Sequence, residues 1–235
     1  MGGYKGALIY PDAAVFVRQI VHHAVTALGK HLIEIGHFRE DRSIMQTSAI
    51  SPNKEYIGIY PIVSNVSIHY RCSDNIKYGG YGLLPFPTIL SLIPAHAKYI
   101  YVHTEGTHKE HICAHIILHL FQDIVASFPN AIVVVFGKEN IYSTMYNFIE
   151  TDMVLICSSS TFCLHAALGK RTGKVYIPPV WYDRKYNFAN EDWHYLNFMT
   201  RTEWPDNIFD TTLGRTYVLD SLKNLTLYFD TKRVP

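Results

Sequence analysis

The apolar positions of this chain fall into short unbroken runs separated by longer stretches of helical spacing. Residues 66–70, 98–103, 131–136, 153–156 and 174–177 each read as a strand. The third, Ala-Ile-Val-Val-Val-Phe, is apolar throughout and predicts a strand buried on both faces. Between the strands, residues 85–92, 108–128, 142–149 and 161–168 read as helices, with Pro94, Gly137 and Gly169 as punctuation. In the longest helix Ile112, Ile116, Leu120, Ile124 and Val125 form one apolar face. Strand alternating with helix predicts right-handed crossovers and an α/β fold, its parallel sheet covered by helices on both faces.

The two ends are less regular. Pro11 and Asp12 open a predicted helix that Val17, Ile20, Val21, Ala24, Val25 and Leu28 carry to Gly29. Residues 32–35 suggest a short strand, and residues 38–56 read as polar and irregular. Residues 178–216 read as aromatic, proline-containing and irregular, before a last helix near Val218. The expected division is a helical cap over residues 1–58 and an α/β domain over residues 59–235.

Composition narrows the function classes. The 21 Lys and Arg against 20 Asp and Glu leave no basic excess, which argues against a nucleic-acid partner. No run of 18 apolar residues occurs, so no transmembrane segment is expected. The opening Met-Gly-Gly-Tyr-Lys-Gly lacks an apolar signal region. Cys72, Cys113, Cys157 and Cys163 form no Cys-x-x-Cys pair and read as reduced thiols; with neither signal peptide nor transmembrane segment expected, a cytoplasmic location is expected. On that reading the sequons Asn65-Val66-Ser67 and Asn224-Leu225-Thr226 carry no weight.

The candidate chemistry lies where two strands empty into polar turns. The first is Ser67-Ile68-His69-Tyr70-Arg71-Cys72-Ser73-Asp74; the second runs from Asp152 through Cys157-Ser158-Ser159-Ser160-Thr161-Phe162. Ligands of open α/β sheets bind beyond the carboxyl ends of the strands. There Arg71 reads as a bidentate clamp on a diphosphate, able to stabilise the charge that grows as a nucleoside diphosphate departs. The alternative is a strand-end salt bridge. His69 shares a sheet face with Arg71 and is expected near the same ligand, or else is a satisfied core histidine. Asp74 reads as a general base, an orienting group for Arg71, or a turn former. Ser158, Ser159, Ser160 and Thr161 precede a helix; one hydroxyl suffices for a cap, leaving the others to bind an anion. No Gly-Lys-Ser/Thr follows, so this is not a P-loop. Glu105 and Glu139 are strand-end acids suited to a ribose, a base or a sugar, or to plain solvation.

His108, His111, His115 and His119 tempt a metal reading. The pattern lacks the glutamate of a zinc-protease helix and a third acidic ligand, so no metal is expected.

His69-Tyr70-Arg71-Cys72-Ser73-Asp74 and Ser158-Ser159-Ser160-Thr161-Phe162 resemble the paired motifs of fucosyltransferase-like glycosyltransferases. Tyr81-Gly82-Leu83-Leu84-Pro85-Phe86, Pro178-Pro179 and Asp192-Trp193-His194 are similar to segments of glycosyltransferase-like proteins of algae and large viruses. The resemblance spans residues 60–195. It implies a GT-B architecture, with residues 59–235 as a Rossmann-like nucleotide-sugar domain and residues 1–58 as an abbreviated acceptor lobe. It also implies metal-independent, inverting transfer from GDP-fucose, or from another donor such as UDP-xylose, to a hydroxyl of an oligosaccharide or glycoprotein. No cofactor is expected beyond the sugar nucleotide as substrate. Arg71 would clamp the diphosphate; Ser159, Ser160, Thr161 and Phe162 would hold the donor phosphates. Cys72 and Ser73 depart from the commoner residues at their positions, which leaves the donor open. Asp74 is the first candidate base and Glu105 the second. The rival classes are a non-catalytic nucleotide-sugar or glycan-binding domain, which would lack a working base, and a phosphate-ester hydrolase, which would need a metal cluster or nucleophile.

Overall fold

The computed structural model describes residues 23, 45–47, 64–72, 82–105, 112–137, 141–158, 160–170, 172–178, 193–195, 199–200 and 208–224. Apolar runs become strands here because β-branched and aromatic side chains pack well on a pleat that is covered on both sides. In chain order the strands are β1 (Met45–Thr47), β2 (Val66–His69), β3 (Gly82–Leu83), β4 (Tyr99–Thr104), β5 (Ile132–Gly137), β6 (Val154–Cys157), β7 (Lys174–Ile177), β8 (Trp193–Tyr195) and β9 (Met199–Thr200). The helices are α1 (Phe86–Leu92), α2 (Ile112–Ser127), α3 (Ile141–Glu150), α4 (Thr161–Gly169) and α5 (Thr212–Asn224).

The main sheet has the order β1-β5-β4-β2-β6-β7-β8. All its pairings are parallel except that of β1, which runs antiparallel to β5 at the edge. The chain starts the parallel sheet at β2, adds β4 and β5 on one side, then returns to add β6, β7 and β8 on the other. This is the 3-2-1-4-5-6 order of a Rossmann-like sheet. Its switch point lies between β2 and β6.

The two faces carry separate cores. Val66, Ile68, Ile100, Val102, Val133, Val135 and Ile156 point to one face and pack with α1, α2 and α5. Leu155, Cys157, Val175 and Ile177 point to the other and pack with α3 and α4. The expected helical face of α2 is the buried one: Ile112, Ile116, Leu120 and Ile124 are buried, and Val125 packs against the same core.

At the amino end of β2 a buried polar clip joins strand to helix. The Ser67 hydroxyl donates to Asn147 Oδ1 at 2.6 Å and bonds Thr151 Oγ1 at 2.6 Å. Ser64 joins the same three side chains, and Lys170 Nζ donates to the Thr151 carbonyl. Burial pulls the Lys170 ammonium down to about 8. Asn65 accepts from the backbone of Lys98 and Tyr99 and donates to Asp152, so its amide belongs to the scaffold. Gly173 has φ +76°, and a Cβ there would lie 2.5 Å from the Asp152 carbonyl; glycine makes the turn into β7 possible.

Several expectations need correction. The irregular stretch expected over 178–216 holds β8 and β9, and that expected over 38–56 holds β1. Three-residue strands lack the length for a visible period. The last helix starts at Thr212 rather than near Val218. The larger correction concerns the cysteines. None of the four is free: Cys72 pairs with Cys113 and Cys157 with Cys163, at Cα separations of 5.7 and 5.8 Å. Their spacing in sequence fits no motif, and only the fold brings the partners together. Of the helix expected from Pro11 to Gly29, His23 is described and is helical. Apart from His23 and β1, the predicted cap over residues 1–58, residues 32–35 included, lies outside the described residues. No helix among the described residues is long and apolar enough to cross a membrane.

Candidate functional site

The two turns singled out in the sequence follow adjacent strands. His69 at the end of β2 is in register with Cys157 at the end of β6 and with His103 on β4. Pairing continues past the strand: Ser158 N–H donates to the His69 carbonyl and Tyr70 N–H to the His103 carbonyl, both at 2.9 Å. The Arg71 N–H then donates to Ser158 Oγ at 2.7 Å. The Arg71 backbone and the Ser158 hydroxyl therefore meet at the switch point, where open α/β sheets form their ligand crevice.

Tyr70 anchors this corner from the other face. Its side chain is wholly buried and its phenol donates to the Leu84 carbonyl at 3.1 Å. Burial pushes the phenol far above its ordinary range, so it stays a donor. Alternation along the chain then turns Tyr70 inward and leaves Arg71 half-buried beside the turn. Arg71 Nε pairs with Glu105 Oε1 at 3.2 Å, so the acid after β4 reaches the same corner.

A layer of rings supports the site from the α3–α4 face. His69 lies 5.5 Å from Phe148 and 5.7 Å from Phe162, centroid to centroid. His103 stacks on Phe136 at 5.1 Å and meets Phe148 edge-on at 4.8 Å. His69 is pushed down to about 3, first by burial, then by His103 and the Arg71 charge. It is neutral at neutral pH, and its Nδ1 is buried without a hydrogen-bond partner.

The hydroxyl turn leads into α4. Ser160 is the N-cap residue, yet its hydroxyl makes no capping bond, and its Oγ is buried without a partner. The expectation that one hydroxyl caps the helix is not met. Ser158 is buried and engaged; Thr161 is exposed at the first helical position; Phe162 packs on His69. The first N–H groups of a helix lack intrahelical partners and attract anions. Together with unspent hydroxyls they can receive phosphate oxygens.

The structure thus gathers His69, Arg71, Glu105, Ser158, Ser160, Thr161 and Phe162 around one corner. Asp74, Ser159, Glu139, His108 and His111 lie outside the described residues. The histidine stripe belongs elsewhere: α2 packs on the opposite face, His115 is exposed, and His119 Nδ1 meets Lys223 Nζ of α5 at 3.3 Å. Among the described residues no group of three or more His, Cys, Asp or Glu is placed to hold a metal ion. His103 is the site-lining residue that sequence reading missed. Alternation from Tyr99 marks its face, but its neighbour across the sheet depends on strand order.

No protein-family model matches this chain, and no curated protein sequence matches it either.

Proposed function

We propose that this chain is the nucleotide-sugar-binding part of a metal-independent, inverting glycosyltransferase of GT-B type, with GDP-fucose as favoured donor and UDP-xylose as the alternative. The observation that carries the reading is the junction of Arg71 with the Ser158–Thr161 turn, sealed by the 2.7 Å bond from the Arg71 amide to Ser158. The Arg71 guanidinium, paired with Glu105 in this structure, and the N-terminus of α4 would together offer a positive field to a departing diphosphate. That field does the work a metal does elsewhere. The acceptor is a glycan hydroxyl that attacks the anomeric carbon.

Asp74 is the proposed base. Glu105 suits that role less well, because its carboxylate is already bound to Arg71. As the diphosphate arrives it would compete with Glu105 for the guanidinium, which makes Glu105 a holder of the empty clamp. The cytoplasmic expectation rests on the lack of a signal peptide or transmembrane segment in the sequence, and on reduced thiols. With all four cysteines paired, the chemistry favours an oxidising compartment.

Thermal stabilisation by GDP, UDP, CDP and ADP and their sugar conjugates, with and without EDTA, tests the reading. A selective, EDTA-insensitive shift is expected. Arg71→Ala should weaken the selected nucleotide by about 10- to 100-fold, the loss of a charged hydrogen-bond donor pair. Unchanged affinity in that variant would overturn the clamp. Binding without sugar transfer, in wild type, would favour the non-catalytic binder.

A further inference from the structure

We propose that the Cys157–Cys163 disulfide is the positioning device of the anion corner, so that the corner is competent only in the oxidised chain. This rests on the reading of Arg71 and the hydroxyl turn as a diphosphate site.

Cys157 is the last residue of β6 and Cys163 the third of α4, so the bond closes a ring around residues 158–162. That ring contains the whole hydroxyl turn. Both sulfurs belong to fully buried residues in the core beneath α3 and α4.

The start of α4 shows why such a clamp is needed. Helix N-termini are ordinarily fixed by a cap hydroxyl that accepts from the N2 or N3 amide. Ser160 has the extended cap conformation, φ −156° and ψ 127°, but its hydroxyl makes no such bond. The disulfide holds the first turn to the strand instead. The Ser160 hydroxyl and the first-turn amides are then left for a ligand rather than consumed by capping. At the β6 end Ser158 adds hydrogen bonds, from its amide to the His69 carbonyl and from the Arg71 amide to its hydroxyl. The disulfide therefore ties the two ends of the turn together, and Ser158 ties the β6 end to the Arg71 backbone. An anion held between them needs both in place.

Closure of the ring is an exchange reaction. The two thiols lose two protons and two electrons to an external disulfide such as oxidised glutathione. One thiolate first forms a mixed disulfide, the second displaces it, and the donor leaves as two thiols. Cys72–Cys113 acts on a different scale, tying the segment after β2 to α2 across 41 residues, outside the turn.

The test measures binding of inorganic pyrophosphate, GDP and UDP to wild type, Cys157→Ala/Cys163→Ala and Arg71→Ala, well below each melting temperature. The double variant is expected to keep its circular dichroism and bind at least about tenfold more weakly, since the turn must be ordered on binding. Amides of residues 160–164 should also exchange faster. If its affinity stays within about twofold of wild type while Arg71→Ala loses binding, the disulfide is only a structural staple and the proposal falls. If wild type binds none of the probes, or Arg71→Ala binds like wild type, the diphosphate site itself falls and takes the proposal with it. Should the double variant not fold, Cys157→Ser/Cys163→Ser and wild type produced with reduced thiols, counted by alkylation mass, are judged by the same criteria.

Discussion

His69 sets an unsatisfied polar atom inside an aromatic layer. A neutral imidazole fits among Phe148 and Phe162, but its Nδ1 has no partner there. A buried polar atom left unsatisfied costs about 1–3 kcal/mol, which a ligand hydrogen bond would recover. The proton balance has a definite sign. His69 is held at about 3 when folded against 6.5 when unfolded, so between those values the unfolded chain binds the extra proton. Stability from this residue is complete above pH 6.5 and falls as pH drops toward 3, by up to about 1.4 kcal/mol per pH unit. His69→Phe keeps an aromatic ring of somewhat larger volume and removes both the unpaired Nδ1 and the proton. We expect stability at pH 7 within about 1–2 kcal/mol of wild type, a shallower acid limb and weaker nucleotide binding. Urea unfolding at pH 4 and pH 7 checks the first two. An acid limb as steep as that of wild type would show that His69 is not the titrating group.

Strand β2 works as an element with two differently built ends. Its amino end is locked by the Ser64, Ser67, Asn147 and Thr151 clip, which docks α3 onto the sheet. Its carboxyl end opens toward Arg71 and the turn after β6. Removing Asn147 takes away the Oδ1 that accepts from both Ser64 and Ser67, so Asn147→Ala should cost about 1–3 kcal/mol in urea unfolding. Nucleotide affinity should be unchanged at temperatures where the variant is folded, because the clip lies at the opposite end of the strand. A comparable loss of affinity would mean that α3 docking sets the geometry of the site. The clip itself was legible only as scattered polar residues; strand order and the α3 crossover bring them together.

At the scale of the whole molecule the two disulfides divide their labour. By loop-closure entropy, Cys72–Cys113 is worth about 4 kcal/mol and the short Cys157–Cys163 ring about 2 kcal/mol. Cys72→Ala/Cys113→Ala should therefore lower the melting temperature more, and Cys157→Ala/Cys163→Ala should lower anion affinity more. Calorimetric unfolding of the two double variants checks the first ranking; a reversed order would mean native-state packing outweighs chain entropy.

By itself the sequence determined the alternation of strand and helix, the doubly buried sheet and the two strand-end motifs, because period and apolar content are local properties. Arg71 and the Ser158–Thr161 turn were legible as a strand-end arginine and a hydroxyl-rich helix start for the same reason. Their meeting was decided by tertiary structure: β6 is added beside β2, not beyond β5, and nothing local encodes that choice. The His69–His103 register, the Arg71–Glu105 pair and the Cys72–Cys113 disulfide follow from the same sheet order, and each joins residues far apart in the chain. Cys157–Cys163 depends instead on the turn from β6 into α4. Strands β1 and β8 escaped notice because three residues carry no period, and only the hydrogen-bonded edges of the sheet hold them extended.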